Sequence, residues 1–114
     1  MVSVTIARQL ALSMPETQEK SHFDIPDFRV KNKIFASIHI IKNYMMVKLS
    51  PIDQSVFCSY DKDVIFPVPG GWGRQGATFI NLGKVRKAML RDAIQTAWKT
   101  VAPVSLRKKY FPGK

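Results

Sequence analysis

The spacing between hydrophobic residues changes along this chain, and the change separates strand-forming segments from helix-forming ones. Residues 34–41 alternate from one side to the other, which predicts a strand. One predicted face carries Ile34, Ala36, Ile38 and Ile40, and the other carries Phe35, Ser37, His39 and Ile41. Residues 28–36 predict two strand segments around a turn, with Asn32 at a positive φ. Lys42 and Asn43 predict the next turn, and residues 44–49 predict the strand after it.

Two segments follow the helical spacing instead. Ile6, Leu10 and Met14 fall one turn apart, Ser3 can cap the start of their helix, and Pro15 ends it. Residues 84–101 have the same period, with a predicted inner face of Val85, Met89, Ala93, Ile94, Ala97 and Val101. The opposite side of that helix carries a stripe of Lys84, Lys87, Arg91, Gln95 and Lys99.

Residues 50–53 give the clearest local signal in the chain. Ser50 can accept a hydrogen bond from the first helical turn, Pro51 suits a position that needs no donor, and Asp53 favours the positive helix end. The pattern predicts a short helix that buries Val56 and Phe57.

The remaining segments complete a two-layer domain. Residues 64–66 and 78–82 predict short strands, and the Pro- and Gly-rich residues 67–76 predict an irregular loop that carries Trp72. Residues 16–27 are polar and predict at most a short edge strand around residues 21–23. We therefore predict a single α+β domain over residues 1–114, with one antiparallel sheet and helices on one face.

Positive charge is concentrated in the carboxyl-terminal half. The chain has a net charge of +10, and residues 64–114 contain Asp92 as their one acid. The bases of that half are Arg74, Lys84, Arg86, Lys87, Arg91, Lys99, Arg107, Lys108, Lys109 and Lys114. Such a half attracts polyanions, which makes nucleic acid the first partner to consider; a solvated basic face is the alternative. Because one acid cannot neutralise the helical stripe, the pattern favours phosphate binding over a merely solvated face.

The residues that usually carry metal or covalent chemistry are few. His22, His39 and Cys58 are too few and too dispersed for a structural zinc site, so we expect no metal and no cofactor. Residues 70–73 are glycine-rich but no Lys-Ser/Thr pair follows them, which excludes a P-loop, and we expect no enzymatic activity. Cys58 lies in a short apolar helix, where we expect a buried, inert thiol. One cysteine, no signal peptide and no long apolar run predict a cytoplasmic protein.

One face of the predicted sheet has no obvious cover. If the helices pack on one face, the other carries Phe35, Ser37, His39, Ile41, Tyr44, Met46 and Lys48. A face this apolar indicates an interface, and Phe35 and Tyr44 suit stacked bases. A homodimer, a protein ligand or a carboxyl-terminal tail suits the same face. The remaining alternative is that the two faces are exchanged or the second one is covered.

Several short motifs, in this order and spacing, resemble the MmcQ/YjbR family. They are MPE at residues 14–16, FRV at 28–30, KIFA at 33–36, KLSP at 48–51, and a Trp98 late in the last helix. The stretches KLSPIDQSVFC at 48–58, PVP at 67–69 and WGRQG at 72–76 look like one of its bacterial subgroups. The resemblance covers about residues 5–109 and implies the order α-β(3)-α-β(2)-α in two layers, similar to secretion chaperones.

The resemblance also implies a function. Family members are generally labelled DNA-binding, because the sheet and its loops resemble a double-wing arrangement, and this is an analogy of fold. Relatives of the subgroup often have a second aromatic residue where this chain has Ala77, so a stacking role in that loop depends on Trp72.

We therefore expect non-catalytic binding of nucleic acid, double-stranded DNA first, through phosphate contacts that position the domain without reading sequence. The expected contact residues are Arg29, Lys31, Lys33, Trp72, Arg74, Lys84, Lys87 and Arg91. The alternative function is a protein-interaction or chaperone-like module that uses the apolar sheet face.

Overall fold

The structure is a computed structural model and describes residues 1–112; Lys114, one of the cations counted above, lies outside them. In chain order the elements are α1 (Val4–Leu12), β1 (Thr17–His22), β2 (Ile25–Val30), β3 (Lys33–His39), β4 (Tyr44–Lys48), α2 (Pro51–Cys58), β5 (Ile65–Pro67), α3 (Gly71–Arg74), β6 (Ala77–Asn81), α4 (Lys87–Val101) and α5 (Val104–Tyr110). The strands form one antiparallel six-stranded sheet in the order β1-β2-β3-β4-β6-β5. This confirms the predicted α+β class.

The hydrophobic core lies between one face of the sheet and the helix layer. α4 packs across β3 and β4, and α1 packs against α4 and β3. The inner faces of the strands and of α4 meet there, and Trp98, Ile38, Met45 and Ile94 are fully buried. α1 and α4 lie on this one face, so the other face of the sheet, which we call the outer face, lies outside this core.

The strand β1 is longer than the sequence predicts. It spans six residues and pairs along its whole length with β2, from Thr17 opposite Val30 to His22 opposite Ile25. Most of its side chains are exposed, so no alternation of polarity marks the strand in the sequence. An edge strand of this kind is held by backbone hydrogen bonds rather than by burial. It adds a fourth strand before α2.

A bulge in β3 exchanges two side chains between the faces of the sheet. Phe28 pairs with Ala36, but the next residue, Arg29, pairs with Ile34, so Phe35 is an extra residue in β3. Phe35 and Ala36 are therefore both fully buried, and Ile34 moves to the outer face. The predicted alternation is wrong at these two residues, because strict alternation holds only where the pairing is regular.

The loop at residues 67–76 contains a helical turn that the sequence does not predict. α3 comprises four residues, Gly71–Arg74, and Gln54 of α2 holds it in place by donating from Nε2 to the Gly73 carbonyl at 2.8 Å. A side chain at Gly73 would collide with the Val68 carbonyl oxygen. Short-range spacing cannot reveal a turn that a distant side chain holds.

Three further helices differ from the prediction. α4 begins at Lys87 rather than at residue 84, and α5 follows it after Pro103. In α2, Val56 is 63% exposed while Phe57 and Cys58 are half-buried, so the predicted burial of Val56 is wrong. α2 packs against the edge strand β5 through its other side. Burial raises the pKa of the Cys58 thiol, although the side chain is half-buried rather than fully buried as predicted.

The backbone at Gly76 has a conformation that a side chain would disturb. Its φ is +107°, and a Cβ there would collide with the Leu49 carbonyl oxygen. We expect Gly76→Ala to lower the free energy of unfolding by about 3 kcal/mol in chemical denaturation, from backbone strain and overpacking.

The matched control for this prediction is Gly71→Ala. Gly71 lies in α3 with a negative φ, and a Cβ there meets only the flexible end of the Arg74 side chain. Its unfolding free energy should stay within about 0.5 kcal/mol of the parent. Equal losses in the two variants would contradict the assigned role of Gly76.

Candidate nucleic-acid interface

The first group of predicted contact residues lies at the end of the sheet that holds the β2–β3 turn. Lys31 and Asn32 both have a positive φ there, as expected for Asn32. Arg29 and Lys33 line a cleft of about 560 Å³ together with Lys48 at the end of β4. Asn32, Gln75 and Thr100 add polar groups to this cleft. We call it the hairpin cleft.

Arg29 already has a partner inside the protein. Its guanidinium donates from Nε to Oδ1 of Asp27 at 2.8 Å and from Nη2 to Oδ2 at 3.2 Å. Asp27 is 1% exposed, so this pair keeps a buried carboxylate neutralised. The hydrogen bond that Arg29 donates to Asp27 raises the pKa of the guanidinium. The main role of Arg29 is therefore structural, because it neutralises a buried carboxylate on the outer face of the sheet.

Lys31 also faces a carboxylate. Its Nζ lies 3.5 Å from Oε1 of Glu16, which precedes β1. The Tyr110 hydroxyl donates to Oε2 of Glu16 at 3.0 Å. This hydrogen bond, followed by the charge of Lys31, lowers the pKa of Glu16. The Lys31 side chain thus ties the β2–β3 turn to Glu16.

The second group lies at the start of α4. Lys84, Arg86, Lys87 and Arg91 are exposed, and among residues 1–112 none of them has a carboxylate within 4 Å. Arg86 is the N-cap residue, yet its side chain makes no capping hydrogen bond, and the first turn contains no acid. By contrast, Ser3 caps α1, and Ser50 with Asp53 caps α2. We call these four cations the α4 basic end.

The two groups are not on one surface. Val101, the last residue of α4, lines the hairpin cleft, whereas Lys87 begins the helix. α4 has 15 residues, and at 1.5 Å per residue its ends are about 21 Å apart. The predicted contact residues therefore divide between the hairpin cleft, α3 and the α4 basic end.

The residues of α3 border a third surface, on the outer face of the sheet. Trp72 is 68% exposed, and Arg74 is exposed beside it. Trp72 lines a groove of about 330 Å³ with Ile25, Ile34, Met46, Val68 and Phe79. We call this the outer-face groove.

The outer-face groove differs from the flat apolar face that the sequence predicts. Ser37, His39 and Met46 line it as expected, but the bulge replaces Phe35 by Ile34. Ile41 lies in the β3–β4 turn and is fully exposed, and Lys48 lines the hairpin cleft instead. Tyr44 packs beside Phe79, with ring centroids 5.3 Å apart.

The floor of the groove carries a short polar chain. The Ser37 hydroxyl lies 3.1 Å from Nε2 of His39, and the His39 ring meets the Phe79 ring edge-on at 5.2 Å. Burial, and then the charge of Lys42, lowers the pKa of His39, so the ring is neutral at pH 7. Asp27 lies on the same floor, but Arg29 binds its carboxylate, and no ion pair joins His39 to an acid within residues 1–112. Ser37 and His39 therefore bond to each other, and among the described residues no acid completes a catalytic triad with them.

Sequence reasoning missed several residues of these surfaces. Lys48 and Gln75 join Arg29 and Lys33 only through strand pairing and the α3 loop, which no local pattern encodes. Arg86 is one of the cations counted in the carboxyl-terminal half, but the sequence pattern does not identify it as the N-cap residue of α4. Within the described residues, no cluster of three or more His, Cys, Asp or Glu side chains could hold a metal ion. None of the helices described here has the length and apolarity to cross a membrane.

Comparison with known proteins places the fold. The YjbR family model matches residues 12–100. The crystal structure of Deinococcus radiodurans protein DR2400, with the domain DUF419, superposes with a TM-score of 0.78 over 96% of this chain and 88% of that chain. The two sequences are 19% identical, so this likeness concerns the fold. The search of curated proteins found no match.

The Asp27–Arg29 pair gives a test of the outer face. Arg29→Met leaves the Asp27 carboxylate buried without its cation, so we expect a clear loss of unfolding free energy at pH 7. Replacing both residues, as Asp27→Asn with Arg29→Met, removes the buried charge, and this double variant should be more stable than Arg29→Met alone. Chemical denaturation measures both. A double variant less stable than the single one would contradict the structural role of the pair.

Proposed function

This chain belongs to the YjbR family, and from that premise we propose that it is a non-catalytic DNA-binding protein that contacts duplex phosphates at the α4 basic end. A second set of phosphate contacts comes from Lys33 and Lys48 of the hairpin cleft and from Arg74 of α3. Arg29 and Lys31 belong to this second set but contribute less to it, because each shares its charge with a carboxylate. Contacts of this kind position the protein on the duplex without specifying a base sequence.

The observation that carries the proposal is the placement of charge at the start of α4. A helix N-terminus has a partial positive charge, so cations there are unfavourable and anions are favourable. The chain nevertheless places Lys84, Arg86 and Lys87 at this end and provides no capping side chain. Lys87 and Arg91 add a like-charged pair one turn apart. A phosphate bound there would be attracted by these cations and by the partial positive charge of the helix end, and it would thereby offset the repulsion between them.

The charge balance of the whole molecule supports the same partner. The chain has a net charge of +10 and a pI of about 10.1. Among residues 1–112, Arg8, Arg29 and Lys31 are the side chains that pair with a carboxylate within 4 Å. The many remaining cations repel one another, and a polyanion relieves this repulsion while releasing its own counterions.

The first test is a titration of labelled duplex DNA by fluorescence anisotropy at several salt concentrations. We expect the affinity to fall by orders of magnitude between about 50 and about 200 mM salt. The double variant Lys84→Ala with Lys87→Ala should weaken binding and reduce the slope of log K against log salt by about 2.

The matched control is Lys108→Ala with Lys109→Ala, which removes the same charge from the last turn of α5. It should leave the slope close to that of the parent protein. No binding at about 50 mM salt would contradict DNA binding. Equal losses in the two double variants would contradict the assignment of the contacts to the α4 basic end.

A second test separates stability from binding at one residue. Arg86 has the extended backbone of an N-cap, with φ −82° and ψ 145°, so Arg86→Asp should supply the missing cap. We expect the unfolding free energy to rise by about 1 kcal/mol while the affinity for duplex DNA falls. Chemical denaturation and anisotropy measure the two effects.

Lys108→Asp is the control for this second test, because it makes the same change of charge near the end of α5. An acid at a helix C-terminus is unfavourable, so this variant should gain no stability. An Arg86→Asp protein that loses stability, or that binds DNA as well as the parent, would contradict the role assigned to this helix end.

A further inference from the structure

We propose that the outer-face groove holds one unpaired base of a nucleic acid strand; this inference rests on the proposed function, since the surrounding cations must hold the strand. The groove measures about 330 Å³, at the lower limit of typical ligand sites. A duplex or a folded partner cannot enter a space of this size, whereas a single heteroaromatic ring can.

Aromatic rings line this groove, and one of them is exposed. Trp72 is 68% exposed although α3 is fixed by the hydrogen bond from Gln54 and by the close packing of Gly73. Phe79 lies in the same lining with His39 against its ring. Exposed tryptophan on a rigid element is typical of a binding surface, and every base has a face that stacks on such rings.

The accessible lining of the groove is almost wholly apolar and selects an uncharged ring. The Ser37 hydroxyl and Nε2 of His39 lie 3.1 Å apart and satisfy each other beneath this lining. The guanidinium of Arg29 is bound to Asp27, so the floor offers no free cation to a carboxylate or phosphate. A nucleobase, which is an uncharged planar ring whose faces stack on aromatic side chains, fits both features.

Cations border the groove and favour a nucleic acid strand over a free uncharged metabolite. Lys42 lies with its Nζ 5.5 Å from the centre of the Phe79 ring. At the other end, Ile34 lines both the groove and the hairpin cleft, where Lys33 and Lys48 lie. Phosphates on either side of an inserted base would therefore meet positive charge. One exposed acid, Asp24, lies in the nearby β1–β2 turn. It has no cation within 4 Å among residues 1–112, so it does not neutralise the cations that border the groove.

The experiment compares three duplex probes by anisotropy at about 50 mM salt. The first is fully paired, the second has one bulged thymine, and the third has an abasic site at the bulge. The last two have the same phosphates and differ only in the base. We expect the bulged thymine to bind about tenfold more tightly than the abasic bulge, and to quench the fluorescence of Trp72. Trp98 is fully buried and should not respond.

Trp72→Ala should remove the difference between the thymine and abasic probes. Tyr60→Ala is the matched control, because it truncates another exposed aromatic side chain, after α2, and should keep the tenfold difference. Equal affinity of the parent for the two bulges overturns this inference, and duplex binding in the same experiment leaves the proposed function standing. A thymine preference without binding to the paired probe supports the groove and contradicts the duplex proposal. No binding to any probe overturns both.

Discussion

The bulge at Phe35 is the constraint on which the two faces of the sheet depend. By placing one extra residue in β3, it adds a phenylalanine to the core beneath α4 and turns Ile34 toward the outer face. Asp27 and Ser37 remain opposite each other on that face, where both are buried beneath the apolar lining of the groove. Without the bulge, Phe35 would occupy the groove and Ile34 would occupy the core, so the shape of both depends on one irregular pair.

Acidic residues form no ion pair with the α4 basic end within residues 1–112. Glu16, Glu19 and Asp27 form ion pairs with nearby cations. Three other acids, Asp53, Asp61 and Asp63, lie in α2 and the loop that follows it. α4 itself contains one acid, Asp92. The loop that carries Asp61 and Asp63 lies beside the segment that leads into α4, since the Asn81 N–H donates to the Val64 carbonyl at 2.8 Å, so these two acids moderate the field of the α4 basic end without pairing with it.

Much of the fold follows from local chemistry. The caps at Ser3 and Ser50, the alternation of residues 44–49 and the helical period of α4 can be read from the chain, and the structure confirms them. The bulge cannot be read in this way, because it depends on how two strands pair. α3 is hidden for the same reason, since Gln54 holds it from an element nearly twenty positions away.

The candidate site shows the same division between local and distant information. The excess of cations and their helical spacing are visible in the sequence, but whether they share a surface is not. The partners of Arg29 and Lys31 decide which cations are free, and both partners are reached through strand pairing or a connecting loop. The outer-face groove is likewise assembled from β2, β3, β4, β6 and α3, so no single segment reveals it.

The central claim is that DNA phosphates bind where α4 begins, and backbone amide shifts in a ¹⁵N-labelled sample titrated with duplex DNA test it most directly. The account predicts that the largest shifts fall on residues 84–91, with smaller ones around the hairpin cleft and α3. Shifts confined to α2 and its following loop, or no shifts at low salt, would contradict it.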